Sequence, residues 1–395
     1  MKRQLLHTPE GVRDIYNDEC EKKMLLQDQL YHILRLHGYH PIQTPTFEFF
    51  DIFGREIGTT PSKDLYKFFD REGNTLVLRP DITPSIARCA AKYFGEEELP
   101  IRLCYMGNTF INNSSYQGRL KECTQLGAEL LGDPSVDADA EMISMVISCL
   151  KAAGLKEFQL SIGHADFFRG LMEAAGLLEE QEEELRELIS NKNFFGVEEF
   201  VETLNLEENL KKLFGMLGNL YTGSDELSAA RKCAASYPRI LKAIGDLEEL
   251  HKILEVYEVS RYVSFELGTI SNYQYYTGII FAGYTFGSGE AIVKGGRYDR
   301  LLTYFGKDSA SIGFAFVVDQ LMAALQRQKI DVPVERSVEL MVYKPAKRQT
   351  AITAAAAARA AGRCVELMLW DETKQKEDYE DYAARSRMIN VQFFA

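Results

Sequence analysis

The chain has 395 residues, 46% of them hydrophobic, which supports a sizeable core spread over roughly two to three domains. Its 58 acidic and 45 basic residues leave a net charge of −13, which argues against a general nucleic-acid binder, because affinity for phosphates rests on clustered Lys and Arg. Seven scattered cysteines without a Cys-x-x-Cys pair speak for a reduced cytosolic compartment and against structural zinc, while the absence of an apolar signal core or of any run near the roughly 18 residues of a membrane span predicts a cytoplasmic protein.

Residues 1–17 form a turn-rich lead-in around Pro9, Gly11 and Asp14. A helix is predicted from Asp18 to His37, because Leu26, Leu30, Ile33 and Leu34 recur at helical spacing and Gly38 follows as a stop. The proline-marked stretch from Tyr39 to Glu48 suits an edge strand or a strand leading to an interface. Phe68–Asp70 and Thr75–Arg79 flank Gly73-Asn74 as a hairpin. Thr83 is then expected to cap a helix with Pro84 at its first position, leaving Asp81 and Thr83 at a strand-to-helix junction.

From Leu103 to Gly132 the chain reads as strand, polar loop, strand. In the second strand Gln125, Gly127 and Glu129 share one face and Leu126, Ala128 and Leu130 the other, since side chains alternate. The loop between, from Asn112 to Gly118, has no Lys or Arg until Arg119. A helix from Asp139 to Ala153 follows, striped by Met142, Ile143, Val146, Ile147 and Leu150.

Residues 165–256 turn acidic and leucine-rich, as a helical insertion would, and the run Glu179–Leu185 reads as a solvated helix face. Strand character returns at Arg261–Leu267, at Tyr273–Ala282 and at Ala291–Asp299. A helix is predicted from Ile312 to Gln328 on the stripe Phe314, Val317, Val318, Leu321 and Leu325. Pro333 marks a linker. Residues 337–395 alternate strand, alanine-rich helix, strand, helix and strand, a module of about 60 residues that is small to stand alone.

Four clusters carry polar groups suited to a site: Leu78-Arg79-Pro80-Asp81-Ile82-Thr83-Pro84; Gln125 with Glu129; Tyr275-Tyr276-Thr277-Gly278; and Gly295-Gly296-Arg297-Tyr298-Asp299 with Gly313-Phe314-Ala315. A carboxylate such as Glu129 can pair with an ammonium through a strong charge-assisted contact, and tyrosines offer both ring surface and hydroxyl. Plainer roles stand beside these. Gln125 and Glu129 can bond neighbouring backbone on a sheet face. Tyr275 and Tyr276 can be core or interface residues, and only one of the pair can face a given side of a regular strand. Gly295 and Gly296 suit a tight turn better than a phosphate cradle. The six histidines lack ligand spacing, so no metal site is expected and His164 reads as structural.

In order and spacing the four clusters resemble the catalytic domain of class II aminoacyl-tRNA synthetases, with histidyl-tRNA synthetase nearest, over about residues 6–330. The resemblance implies an α+β fold: an antiparallel sheet flanked by helices at 1–330, interrupted by the helical insertion at about 165–256, then a truncated anticodon-binding-like α/β module at 331–395. It implies an amino-acid pocket of Asp81, Thr83, Gln125, Glu129, Tyr275 and Tyr276, with Arg119 as a further ligand contact. Asp81 stands where the family has a longer Glu. The family's phosphate-handling arginines are replaced by Ile111, Ser271 and Gln320, and neighbouring polar positions by Asn113 and Ser114. Preorganised cations stabilise the charge that builds during adenylation, and removing one commonly costs a few kcal/mol. With three missing, no catalytic residue and no cofactor are assigned. A divergent ligase is the alternative. The combination resembles a non-aminoacylating branch of the family, whose members act as regulatory subunits beside a short-form catalytic ATP phosphoribosyltransferase in the first step of histidine biosynthesis. That branch implies a dimer within a hetero-octamer, histidine as feedback effector, and no tRNA or membrane partner.

Overall fold

Leu26, Leu30 and Leu34 bury one stripe of α1 (Asn17–Leu36), which ends before Gly38, whose φ of +81° favours glycine. The computed structural model describes residues 6–54, 60–95, 99–113, 120–221, 227–270, 275–334 and 337–395. Arg119, Ser114 and Ser271 fall outside the described residues. The chain divides into two units, Met1–Val332 and Pro333–Ala395.

After α1 come β1 (His40–Pro41) and a small separate sheet built from β2 (Phe47–Phe49), β3 (Lys67–Phe69) and β4 (Thr75–Leu78) in the order β2-β4-β3. Asp70 closes the β3–β4 turn by accepting the backbone N–H of Asn74 at 2.7 Å. Then follow α2 (Thr83–Tyr93), the long antiparallel pair β5 (Ile101–Phe110) and β6 (Glu122–Leu131), α3 (Val136–Ala152) and β7 (Phe158–His164). Ser135 caps α3 by accepting the Ala138 N–H.

The stretch at 165–256 holds α4 (Ala165–Ala175), α5 (Glu179–Ser190), α6 (Phe194–Glu202), α7 (Glu208–Gly215), the short β8 (Leu220–Tyr221), α8 (Ser228–Cys233) and α9 (Pro238–Val256). On α5 Leu185 and Ile189 are buried and most of the glutamates face solvent. The first unit closes with β9 (Val263–Glu266), β10 (Ile279–Thr285), β11 (Val293–Arg297), β12 (Ser311–Val317) and α10 (Val318–Arg327).

Nine of these strands form one sheet in the order β1-β5-β6-β12-β11-β10-β7-β9-β8. It is antiparallel except where β1 meets β5 and β7 meets β9. Leu126, Ala128 and Leu130 point to the face covered by α1 and α3, in the main core. Leu103 and Tyr105 point to the other, against Ile82, Ile86, Tyr275, Tyr276 and Tyr298. That second face carries the site.

The second unit is a three-stranded parallel sheet in the order β14-β13-β15, made of β13 (Val338–Tyr343), β14 (Cys364–Leu369) and β15 (Asn390–Phe394). Its chain alternates with α11 (Arg348–Ala360) and α12 (Lys376–Arg385). Met341 packs with Ala355 and Ala358, and Leu340 and Val342 with Tyr379 and Ala383, so alternate residues of β13 serve different cores.

Four local expectations need correction. The helix expected from Ile312 starts only at Val318, because Ile312, Phe314 and Phe316 alternate with Gly313 and Ala315 and insert as β12 between β6 and β11. Thr83 does not cap α2. It is the first helical residue, Ile82 precedes it and Pro84 is second, and the Thr83 hydroxyl is spent on Glu129 instead. Gly295 and Gly296 make no tight turn. They stand inside β11, paired with Phe281 and Ile280 on one side and Phe314 and Gly313 on the other. Tyr275 and Tyr276 precede β10 rather than lying within it, so both are buried in one core cluster where a regular strand would have parted them.

Candidate ligand-binding site

Strand register builds the site. Leu103, Glu129, Gly313, Gly296 and Ile280 stand side by side across five strands. Glu129 is almost completely buried, and its carboxylate leans across Gly313: a Cβ on that glycine would lie 1.5 Å from Glu129 Oε2. The ring of Tyr276 lies over Gly296 in the same manner, its Cδ1 within 2.9 Å of where a Cβ would be. Thr83 donates to Glu129 Oε1 at 2.7 Å, and Tyr298 donates to Oε2. Tyr275 packs on Tyr276 with ring centroids 4.9 Å apart and meets Tyr298 edge-on at 5.8 Å.

The electrostatics follow from burial. Desolvation pushes the Glu129 carboxyl up to about 8, against the pull of the hydrogen bonds from Tyr298 and Thr83. Asp81, also buried, is pushed up to about 6 by desolvation, while the N–H groups of Ile82 and Thr83 favour its ionised form. Its Oδ1 accepts the Ile82 N–H at 2.7 Å. Of the seven buried side-chain polar atoms without a hydrogen-bond partner among the described residues, two belong to residues lining the cavity described next, Asn113 Oδ1 and Gln125 Oε1. Buried polar groups are normally satisfied, so these two acceptors face the cavity with bonding capacity to spare.

Asp81, Thr83, Gln125, Glu129, Tyr275 and Tyr276 line one cavity of about 760 Å³, within the range of roughly 300–1,000 Å³ usual for small-molecule sites. Ile111 and Gln320 line it too, beyond the strand ends where Gln125 pairs with Val317. Tyr298 belongs with these residues, although sequence reasoning quoted it only within a motif. Its signal was available: in β11 and its extension, Lys294, Gly296 and Tyr298 share a face at period two.

Elsewhere the structure assigns scaffolding roles. Arg79 is buried and donates to the backbone carbonyls of Asn108 (2.8 Å) and Thr44 (2.9 Å), pinning the segment after β1 to β5. Arg297, facing away from the cavity, pairs with buried Asp139 at 2.8 Å and donates to the carbonyls of Asp133 and Ser135. His164 caps α4 through Nδ1, which accepts the Asp166 N–H, and sets Nε2 3.3 Å from Asp246. Among the described residues no cluster of His, Cys, Asp and Glu could hold a metal ion, and no helix is long and apolar enough to cross a membrane.

The nine-stranded, largely antiparallel sheet flanked by helices, with a cavity on its second face, defines a protein of the class II synthetase fold. The family described as Histidyl-tRNA synthetase matches residues 11–321. An ATP phosphoribosyltransferase regulatory subunit from Acetivibrio thermocellus is 41% identical over 365 residues, covering 92% of this chain and 86% of that protein. One of the same name from Ruminiclostridium cellulolyticum is 38% identical over 391 residues, covering 99% of this chain and 93% of its own. A crystal structure titled ATP phosphoribosyltransferase regulatory subunit/histidyl-tRNA synthetase, from Bacillus halodurans, superimposes with a TM-score of 0.87 at 32% identity, covering 99% and 98% of the two chains. The chain belongs to the histidyl-tRNA synthetase-like family of ATP phosphoribosyltransferase regulatory subunits.

Proposed function

We propose that this chain is the non-catalytic partner of a short-form catalytic ATP phosphoribosyltransferase subunit in the first step of histidine biosynthesis, and that it binds histidine as the effector. The observation that carries this is the asymmetry of the cavity. One end keeps Glu129, Thr83, Tyr298 and the tyrosine pair. The other presents Ile111 and Gln320, an aliphatic group and a neutral amide, at two positions where the resemblance expects phosphate-binding arginines; Lys63, Lys121 and Lys294 also line the cavity, but as compact flexible charges they lack the bidentate fork of an arginine. Ser271 and the loop with Arg119 extend the same reading by sequence alone. The acidic net charge of −13 supports the absence of a tRNA partner. Mixing this chain with a short-form catalytic subunit and titrating histidine tests the assignment. Activity should appear only with both chains and fall with histidine. ATP–pyrophosphate exchange driven by histidine, at a synthetase-like rate, would reassign the chain to an active ligase. Histidine at about 100 times its dissociation constant should stabilise the isolated chain by roughly 2.7 kcal/mol.

Binding should also release a proton. With its carboxyl raised to about 8, Glu129 is largely protonated at pH 7 in the free chain, and an ammonium ligand needs it ionised. Affinity therefore rises with pH toward 8, by up to about tenfold per unit for one proton. For the free chain the sign is opposite. The folded state holds a proton that the unfolded chain has lost, so the Glu129 contribution to stability is full below the ordinary carboxylate range and disappears as pH rises through about 8. Calorimetry in buffers of different ionisation enthalpy should count close to one proton released per histidine, and close to none for Glu129→Gln.

Self-association is the second part of the proposal. Phe47, Phe49 and Phe68 lie on one face of the small sheet, and all three are exposed. Phe47 and Phe68 pack edge to face at 5.8 Å. An exposed aromatic face of this kind marks an interface, and a second copy of the chain is the partner we assign. Phe47→Glu with Phe49→Glu should shift the chain toward monomer in analytical ultracentrifugation while circular dichroism stays unchanged.

A further inference from the structure

We infer that Lys294 is the group that takes the carboxylate of the bound amino acid, in place of an arginine. This rests on the assignment of the cavity to histidine and adds the missing half of its recognition. Glu129, Asp81 and the open acceptor Gln125 Oε1 satisfy the cationic and N–H-bearing parts of an amino acid, but none of them can hold its carboxylate. Tyr298 and Thr83 are already committed to Glu129. The ligand brings a negative charge that needs a cation on the same floor.

Register puts one there. Lys294 is two residues before Gly296 on β11, hence on the same face as Gly296 and Tyr298, and it lines the cavity. Its cross-strand neighbours are Ala315 on β12 and Ala282 on β10, and beyond Ala315 comes Gly127. Lys294 is exposed, and the small side chains of Ala282 and Ala315 on either side leave its stem room over the sheet as far as Gly127, which the Tyr105 ring covers. The strand carrying Lys294 is two spacings from the strand carrying Glu129, about 10 Å, and Lys294 is one row further along, about 7 Å. The two backbones are thus about 12 Å apart on the diagonal. A glutamate from one side and the four-carbon stem of a lysine from the other close that distance to a gap an amino acid can bridge. The Lys294 ammonium has no ion-pair partner among the described residues. Lys63 and Lys121 also line the cavity, but from the segments around it and not from the sheet floor. The cavity lining carries four acidic residues, Asp64, Asp81, Glu129 and Glu290, to these three lysines. Lys294 immediately precedes the Gly295-Gly296 motif, whose glycines read in sequence as a tight turn, which is why its side chain attracts no notice there.

The test compares histidine with two analogues that keep the ring and the ammonium but lack the carboxylate, its amide and its amino alcohol, by calorimetry on the full chain. Wild type should prefer histidine. Lys294→Ala should weaken histidine by about ten- to hundredfold, the worth of one hydrogen bond to a charged group, and leave both analogues within about twofold. Lys294→Arg should recover part of the loss. If Lys294→Ala weakens all three ligands alike, or keeps the wild-type preference, Lys294 is not the carboxylate anchor and the histidine site stands without it. If wild type binds none of the three, the histidine assignment falls and this inference falls with it.

Discussion

Arg297→Ala is expected to destabilise the first unit by about 3–5 kcal/mol, the usual cost of removing one partner from a buried ion pair. Arg297 and Asp139 are both more than nine-tenths buried. Burial raises the Asp139 carboxyl, and the guanidinium 2.8 Å away opposes that rise. Without Arg297 the aspartate must either stay charged in a dry interior or take up a proton. Arg297 also donates to the carbonyls of Asp133 and Ser135, so its loss strips partners from the turn that leads into α3. The end of β11 would lose its tie to that turn, and Tyr298, the next residue, would lose its fixed approach to Glu129. Thermal unfolding should show a midpoint lowered by roughly 10 °C, from about 2–4 °C per kcal/mol in a unit of this size. The double variant Arg297→Met with Asp139→Leu should recover most of the loss, because a buried pair exchanged for apolar groups of similar volume is often neutral. If Arg297→Ala is as stable as wild type, the pair is not buried in solution as described.

Gly313→Ala should abolish ligand binding and also lower stability. The added methyl would sit 1.5 Å from Glu129 Oε2 and 2.9 Å from the carbonyl oxygen of Ala128. The carboxylate can swing away, but the backbone carbonyl on the paired strand cannot, since β12 is held between β6 and β11. Overpacking of this kind typically costs about 1–3 kcal/mol. The larger effect is on the site. Displacing Glu129 breaks its bonds from both Thr83 and Tyr298, so the histidine-dependent thermal shift should vanish even at temperatures where the variant is fully folded. A Gly313→Ala chain that keeps the shift would mean that Glu129 does not contact the ligand.

Much of the architecture was legible because it depends on short-range pattern. The leucine stripe of α1, the turn residues between β3 and β4, and the alternation of the last 59 residues each report their element within a few positions. The faces of β6 were legible too, with Glu129 and Gln125 opposite Leu126, Ala128 and Leu130. Where the pattern fitted two periods it misled. Phe314, Val317, Val318, Leu321 and Leu325 suit a helix, yet Ile312, Phe314 and Phe316 also suit a strand, and pairing with two neighbours decided for the strand as far as Val317. Thr83 misled for a related reason. Its hydroxyl can cap a helix or serve a distant acid, and a buried carboxylate in need of donors outweighs a cap at the helix end.

The sequence by itself determined which residue types are present for chemistry: a carboxylate and an amide on one strand face, a tyrosine pair, and a loop without cations until Arg119. Only the tertiary structure decided which of them meet. Thr83 reaches Glu129 across 46 residues and Tyr298 reaches it across 169. Both contacts depend on strand register and on a glycine beneath the carboxylate. The physical reason is range. Periodicity and turn chemistry are set by neighbours along the chain. A site built across five strands depends on pairings made between segments far apart in sequence, where a slip of one residue would turn Glu129 away from the cavity and into the apolar core.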